Sequence, residues 1–362
     1  MTHKLDLRHR IALECARYIN RQKVKEHPLR QLFWECTLRC NVHCRHCGSD
    51  CRQLSDVKDM PREDFFRVLD SIAAKTDPAR VFVILSGGEP LMRKDIVECA
   101  EGINKRGFPW GMVTNGMTLT LQLFRQLRDN GMGSLAISLD GMEDDHNWMR
   151  CNNHSFKNVD RVLDFLVEEA NTTDFIFDAV TCVHKRNYTS LPIIRDYLIG
   201  KGLTAWRIYS IFPVGRAAKE PLFNLSSEEF RGLLDFIRET RRDGKINAAF
   251  GCEGYMGNYE GDIRDHFFHC DAGITVGSVM ADGSIAACAS IRADYSQGNI
   301  YQDDFMDVWE NRYKPHRDRS WMKNGDCKDC KHFRYCNGNA MHLRDKDGNL
   351  MLCHIKKIAG RS

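Results

Sequence analysis

"CTLRCNVHCRHCGSDC" (residues 36–51) puts five cysteines into sixteen positions. Only Cys40, Cys44 and Cys47 satisfy C-x3-C-x2-C. Cys36 closes an apolar run and, with Cys51, reads as structural, since free cysteine is commonly buried. Three closely spaced thiolates can ligate three irons of a cubane 4Fe–4S cluster, leaving the fourth iron open to a non-protein ligand. Spacing alone also fits a structural zinc loop completed by His43 or His46, or a set of plain buried thiols.

The stretch overlaps "QLFWEC" (31–36), the first of six strand-like apolar runs. The others are "VFVILS" (81–86), "WGMVT" (110–114), "LAISLD" (135–140), "FIFDAVTCV" (175–183) and "AWRIYSIF" (205–212). Amphipathic patterns separate them, such as "PREDFFRVLDSIAA" from Pro61, where proline suits a first helical turn. Residues 8–24 form a leading helix of their own. Strands alternating with helices predict a parallel β/α barrel, incomplete, with the cysteine loop at the C-terminal mouth where such barrels keep their chemistry. A doubly wound open sheet fits the alternation equally well.

After a helix over 226–242 the chain becomes rich in glycine and aromatics. "GITVGSVMADGSIAACAS" (273–290) reads as a hairpin turning at Asp282-Gly283. We place the boundary near residue 245: an N-terminal helical extension over 1–30, the barrel over 31–245 and a smaller cysteine-rich domain over 246–362.

The 362 residues suffice for a large domain with an appendage. Lys+Arg 52 against Asp+Glu 49 gives +3, which offers no electrostatic reason for a nucleic-acid or membrane-surface partner. Charges are scattered through the first twenty residues with no apolar signal region, and the longest apolar runs are strand-sized, so no membrane span is expected. The outlier is cysteine, 16 in all, which points to a cytoplasmic protein with reduced thiols used for metal. Cys327-x2-Cys330-x5-Cys336-x16-Cys353 supplies four thiols that suit zinc and iron–sulfur equally. Cys270 and Cys288 flank the hairpin. "RDKDGNL" (344–350) lacks the glycine position and closing glutamate of a calcium loop and is a turn.

C-x3-C-x2-C after the first strand resembles the radical S-adenosylmethionine (radical SAM) enzymes, and further segments keep matching in order: "GGEPL" (87–91), "TNG" (114–116), "SLDG" (138–141), "HNWMR" (146–150) and "FPVGRA" (212–217). The resemblance implies a partial parallel (β/α)6 TIM-like barrel. It also implies a 4Fe–4S cluster on Cys40, Cys44 and Cys47, and S-adenosylmethionine contacts from Gly87, Gly88, Glu89, Pro90, Asn115, Ser138, Asp140 and Arg150. The implied chemistry is reductive cleavage of S-adenosylmethionine to a 5′-deoxyadenosyl radical that takes hydrogen from a substrate, fed by a flavodoxin- or ferredoxin-like electron donor. His46 stands where the family usually has an aromatic residue.

The tail resembles the SPASM domain, which implies one or two auxiliary 4Fe–4S clusters. Cys327, Cys330, Cys336 and Cys353 would hold the second. Cys270 and Cys288 would hold the first, with Cys252 as a further ligand; Ala340 stands where the pattern has another cysteine. SPASM relatives imply a peptide or protein substrate, with a small molecule such as a tetrapyrrole or sugar as the alternative. Ala289 after Cys288 speaks against a sulfatase-maturase role, whose acidic base occupies that place. About thirty residues precede the first strand, too few for a fused leader-peptide-binding domain. Peptide recognition is therefore expected of a separate partner or of the barrel mouth. An iron–sulfur carrier without catalysis would not need the segments after strands two to four.

Overall fold

Strand β1 (Gln31–Thr37) follows helix α1 (Leu7–Glu26) and alternates in burial: Leu32 and Trp34 are fully buried, while Phe33 between them faces an interior cavity. Trp34 stacks flat on Phe65 of α2 (Arg62–Ala73), ring centroids 4.1 Å apart, so this face of the strand meets the helical layer. The same repeat continues through β2 (Phe82–Gly87), β3 (Trp110–Thr114), β4 (Met132–Ser138), β5 (Ile176–Val183) and β6 (Ala205–Ser210). The intervening helices are α3 (Ile96–Lys105), α4 (Leu121–Asp129), α5 (Glu143–Arg150), α6 (Ser155–Thr172) and α7 (Leu191–Lys201). This computed structural model describes residues 7–251, 254–291 and 295–360, so Cys252 lies outside the described residues.

Neighbouring strands β1 to β6 pair in parallel and in sequence order. A doubly wound sheet would reverse its order at a switch point; this one does not, and it winds as a barrel. Helix α8 (Ser227–Asp243) starts with a capping box, Ser226 and Glu229 each accepting from the other's backbone N–H. It leads to β7 (Asn247–Phe250), which adds to β6 in parallel.

The chain then returns to the other edge. β8 (Val276–Val279) pairs in parallel with β1, and β9 (Ser284–Ala286) and β10 (Gly298–Asn299) continue antiparallel from it. The result is one ten-stranded sheet running β10-β9-β8-β1 through β7, whose two end strands do not pair with each other. The barrel therefore stays open on one side, and the hairpin turning at Gly283 sits beside that opening, tied to β1 where the Ala281 N–H donates to Glu35 Oε2 at 3.3 Å. Among the described residues no helix is long and apolar enough to cross a membrane.

Candidate active site

Cys40, Cys44 and Cys47 leave β1 on a loop at the C-terminal ends of the strands and line one cavity of about 130 Å³. Gly87, Gly88 and Glu89 from the end of β2, Asn115 after β3, Ser138 at the end of β4 and Arg150 at the end of α5 line the same space. Pro90 is buried in the turn behind Glu89. Asp140 is fully buried, out of the cavity wall, with its carboxylate 2.7 Å from Arg150 Nε.

Backbone contact sets the position of the cysteine loop. The Gly88 N–H donates to Thr37 O at 2.7 Å and the Glu89 N–H to Arg39 O at 2.9 Å. A Cβ on Gly87, whose φ is +133°, would lie 2.2 Å from Thr37 O, and one on Gly88 would lie 2.2 Å from Arg39 O. Two glycines are thus required simply to let the two loops meet.

Glu89 is turned into the scaffold. Its Oε1 accepts from the Thr114 hydroxyl at 2.8 Å and the Leu91 N–H at 3.2 Å, and its Oε2 accepts from the Asn115 N–H at 2.7 Å. Burial raises its carboxyl to about 7, against the pull of those donors. The side chain thereby fixes the loop after β3, from which Asn115 Nδ2 points to Cys40 Sγ at 3.8 Å and donates to Asn41 Oδ1 at 2.8 Å.

Arg150 brings a cation to the thiols, its Nη1 3.5 Å from Cys44 Sγ. Burial is the largest influence on Asp140 and raises it; Arg150 first, then His46, His146 and the Cys182 N–H, together outweigh burial and hold the carboxyl at about 2. Asp140 is further fixed by the Cys182 N–H donating to its Oδ1 at 3.0 Å, and its own N–H donates to His146 Nδ1 at 3.0 Å. Asp140 and His146 are thus supports that aim Arg150.

Two residues of the site escaped the sequence reading. Arg216, after β6, clamps the cysteine loop: its Nε donates to Cys44 O at 2.7 Å, and its Nη1 to Asp50 Oδ1 at 2.7 Å and Cys51 O at 3.1 Å. Cys51 lines the same cavity as the three thiols. Its side chain hydrogen-bonds Cys47 and, against burial and together with the loop backbone and Arg216, holds that thiol down at about 5. "FPVGRA" carried the signal for Arg216; nothing in the spacing distinguished Cys51.

The cavity does not end there. Gly87, Gly88 and Val113 also wall a space of about 270 Å³, which shares Phe33, Phe212 and Ser290 with a larger one of about 790 Å³. Arg207 and Asp178, ion-paired with Nη2 donating to Oδ1 at 2.8 Å, stand on neighbouring strands β6 and β5, and Arg207 lines this chamber. Cys270 and Cys288 line it too, as does His342, whose ring lies 4.8 Å from Phe212. Cys327, Cys330, Cys336 and Cys353 gather elsewhere in the tail. Burial and the three other thiols beside it push Cys336 well up, and Arg344 Nη2 points to Cys327 Sγ at 3.6 Å.

Residues 34–190 match the radical SAM superfamily, and residues 270–331 match an iron–sulfur cluster-binding domain, SPASM. The chain thus carries a radical SAM domain followed by a SPASM domain. Its relatives include the Fe-coproporphyrin III synthase of Methanosarcina barkeri, 26% identical over 85% of this chain and 82% of that protein. Mycofactocin maturase MftC of Mycolicibacterium smegmatis is 28% identical over 86% of this chain and 77% of that protein. Streptococcus suis SuiB bound to S-adenosylmethionine superposes with a TM-score of 0.70 over 89% of this chain and 76% of that one, at 17% identity, a likeness of fold.

Radical SAM and SPASM domains employ 4Fe–4S clusters and S-adenosylmethionine. The donor set here fits. Three thiols face one small cavity, a buried guanidinium stands against one of them to offset thiolate charge, and the glycine loop forms the adjoining wall. In the tail, four mutually close thiols fit a second such group.

Proposed function

We propose that this radical SAM enzyme takes a hydrogen atom from a peptide or protein substrate held in the 790 Å³ chamber between the barrel and the SPASM segment. The observation that carries this is the chain of adjoining cavities, which leads from the three-cysteine pocket past Phe33 and Phe212 to a chamber walled on one side by α1. The likeness to a maturase over most of both chains supports a peptide. The likeness to Fe-coproporphyrin III synthase supports a second reading, a small molecule of tetrapyrrole type, for which a chamber of this volume also has room.

Cys40, Cys44 and Cys47 would hold the cluster, and Gly87, Gly88, Asn115, Ser138 and Arg150 would line the place of S-adenosylmethionine. Bound there, these groups supply a strong carbon-centred hydrogen-atom acceptor once an electron arrives from a flavodoxin- or ferredoxin-type donor. Phe33, Val113 and Phe212 keep the passage apolar, which limits water and side reactions. Arg207, held by Asp178, presents a fixed cation to the substrate. Cys270 and Cys288 would carry an auxiliary cluster at the far wall.

The test is anaerobic incubation with S-adenosylmethionine, a reductant and deuterated candidates from each class. Deuterium in 5′-deoxyadenosine from a peptide supports the first reading. Deuterium only from a tetrapyrrole candidate replaces it with the second.

A further inference from the structure

Between α1 and the C-terminal segment lies a cleft of about 390 Å³. It shares Ala16, Asn20, Phe267 and His269 as walls with the 790 Å³ chamber, so the two spaces adjoin. Its lining is strongly cationic: Arg17, Arg21, Arg317, Arg319 and Arg334, against, among the described residues, the single carboxylate of Asp318 at the exposed rim.

The nearby acids do not balance this charge. Glu14 is shared between Arg17 at 3.1 Å and Arg334, and Asp271 is taken by His269 at 2.7 Å and Lys23 at 3.2 Å. Among the described residues Arg317 donates only to backbone carbonyls, those of Gly273, Glu310 and Trp309, while lying over the Trp309 and Tyr313 rings. Arg319 is 8% exposed. Its Nε donates to His316 O at 3.0 Å and its Nη2 to Cys270 O at 2.6 Å, but among the described residues its buried Nη1 has no partner. A buried guanidinium with an unfilled donor and no carboxylate costs stability unless something anionic completes it. A water could fill the donor, but it would leave the charge uncompensated.

Resting on the reading of the chamber as the substrate site, we infer that this cleft is a distal subsite for an oxyanion, carboxylate or phosphate, borne by the substrate away from its reacting carbon. Arg319 is the buried anchor and Arg21 and Arg17 the outer contacts. The guanidinium fork matches a planar carboxylate or a phosphate in two parallel hydrogen bonds. Because Arg319 also holds the carbonyl of Cys270, filling the subsite bears on the wall that carries that cysteine.

Calorimetric titration of the full chain, with its clusters and without S-adenosylmethionine or reductant, tests this independently of any radical chemistry. Inorganic phosphate is the first probe, at constant ionic strength set with chloride. Saturable binding is expected, weakened about tenfold or more by Arg319→Gln, in line with loss of a charged hydrogen bond. The exposed Arg21→Gln, which leaves the core untouched, should weaken it about threefold, at the lower end of such losses. Arg238→Gln, paired with Asp235 outside the cleft, should leave it unchanged. Absence of saturable binding, or equal affinity across all four proteins, overturns the site. A second probe separates a substrate-borne anion from a free ion: acetyl-tetraglutamate amide should displace phosphate and the tetraglutamine peptide should not. Failure of the glutamate peptide to displace it overturns the assignment to substrate.

Discussion

Glu89 shows how much of the site is scaffold. Its carboxylate receives three donors, two of them backbone N–H groups, so it sets the distance between the loops after β2 and β3. Glu89→Gln would turn an amide NH2 onto one of those donors, at a cost of about 1–3 kcal/mol. A lower thermal midpoint together with weaker S-adenosylmethionine binding is expected, read by calorimetry on the same samples. The Asp140–Arg150 pair makes a prediction about pH. Asp140 titrates below its unfolded value, so the pair's contribution is complete above about 3.8 and is lost as pH falls through about 2. Arg150→Gln leaves the carboxylate buried and uncompensated, a loss of about 3–5 kcal/mol. Its folded-state value then rises above the unfolded one, so the variant should lose stability relative to the parent as pH rises from 4 to 8; the difference between the two melting curves across that range measures it. The motif residues were legible because "GGEP", "TNG" and "SLDG" are short and sit directly after strands. That Asp140 backs Arg150, and that Glu89 faces inward, depends on χ angles that no spacing encodes.

Among the elements, the six barrel strands were legible because each is an apolar run of five or more residues followed by an amphipathic helix, and the observed bounds differ only by a few residues at the ends. β7, four residues long, carries too little period to be seen; its pairing with β6 makes it a strand. The hairpin at Gly283 was visible from Asp-Gly, but its parallel attachment to β1 is a contact across more than two hundred residues that only the folded chain displays. The loop after β6 is another such contact, since Arg216 reaches back to the cysteine loop through three hydrogen bonds. Arg216→Leu removes them and should let a ferrous chelator strip iron from the first cluster roughly tenfold faster, as expected from losing about one charged hydrogen bond's worth of free energy. The tail iron should leave at the parent rate. Equal rates for both iron pools would show that the clamp is dispensable.

Over the whole molecule, the candidate cluster thiols fall into three groups: the pocket at the barrel mouth, the pair on the chamber wall and the four in the tail. Ala340 is buried, and it offers no ligand to the middle group. If that group nevertheless holds a cluster, the reconstituted chain should contain about twelve irons, against about eight if it does not, at four per cubane. We expect the higher count, falling toward eight in Cys270→Ala; a count near eight in both would mean an empty middle site. The composition of the chain announced metal, and the order of the motifs announced the barrel. The adjoining cavities were not legible, because they form where β1, β6, α1 and the SPASM segment meet. The central claim is that Cys40, Cys44 and Cys47 support the radical chemistry, and its most direct test is 5′-deoxyadenosine formation by anaerobically reconstituted protein given S-adenosylmethionine and reductant. The parent should form it, and the triple variant with all three cysteines changed to alanine should form none while keeping its tail iron; formation at the parent rate by that variant would contradict the claim.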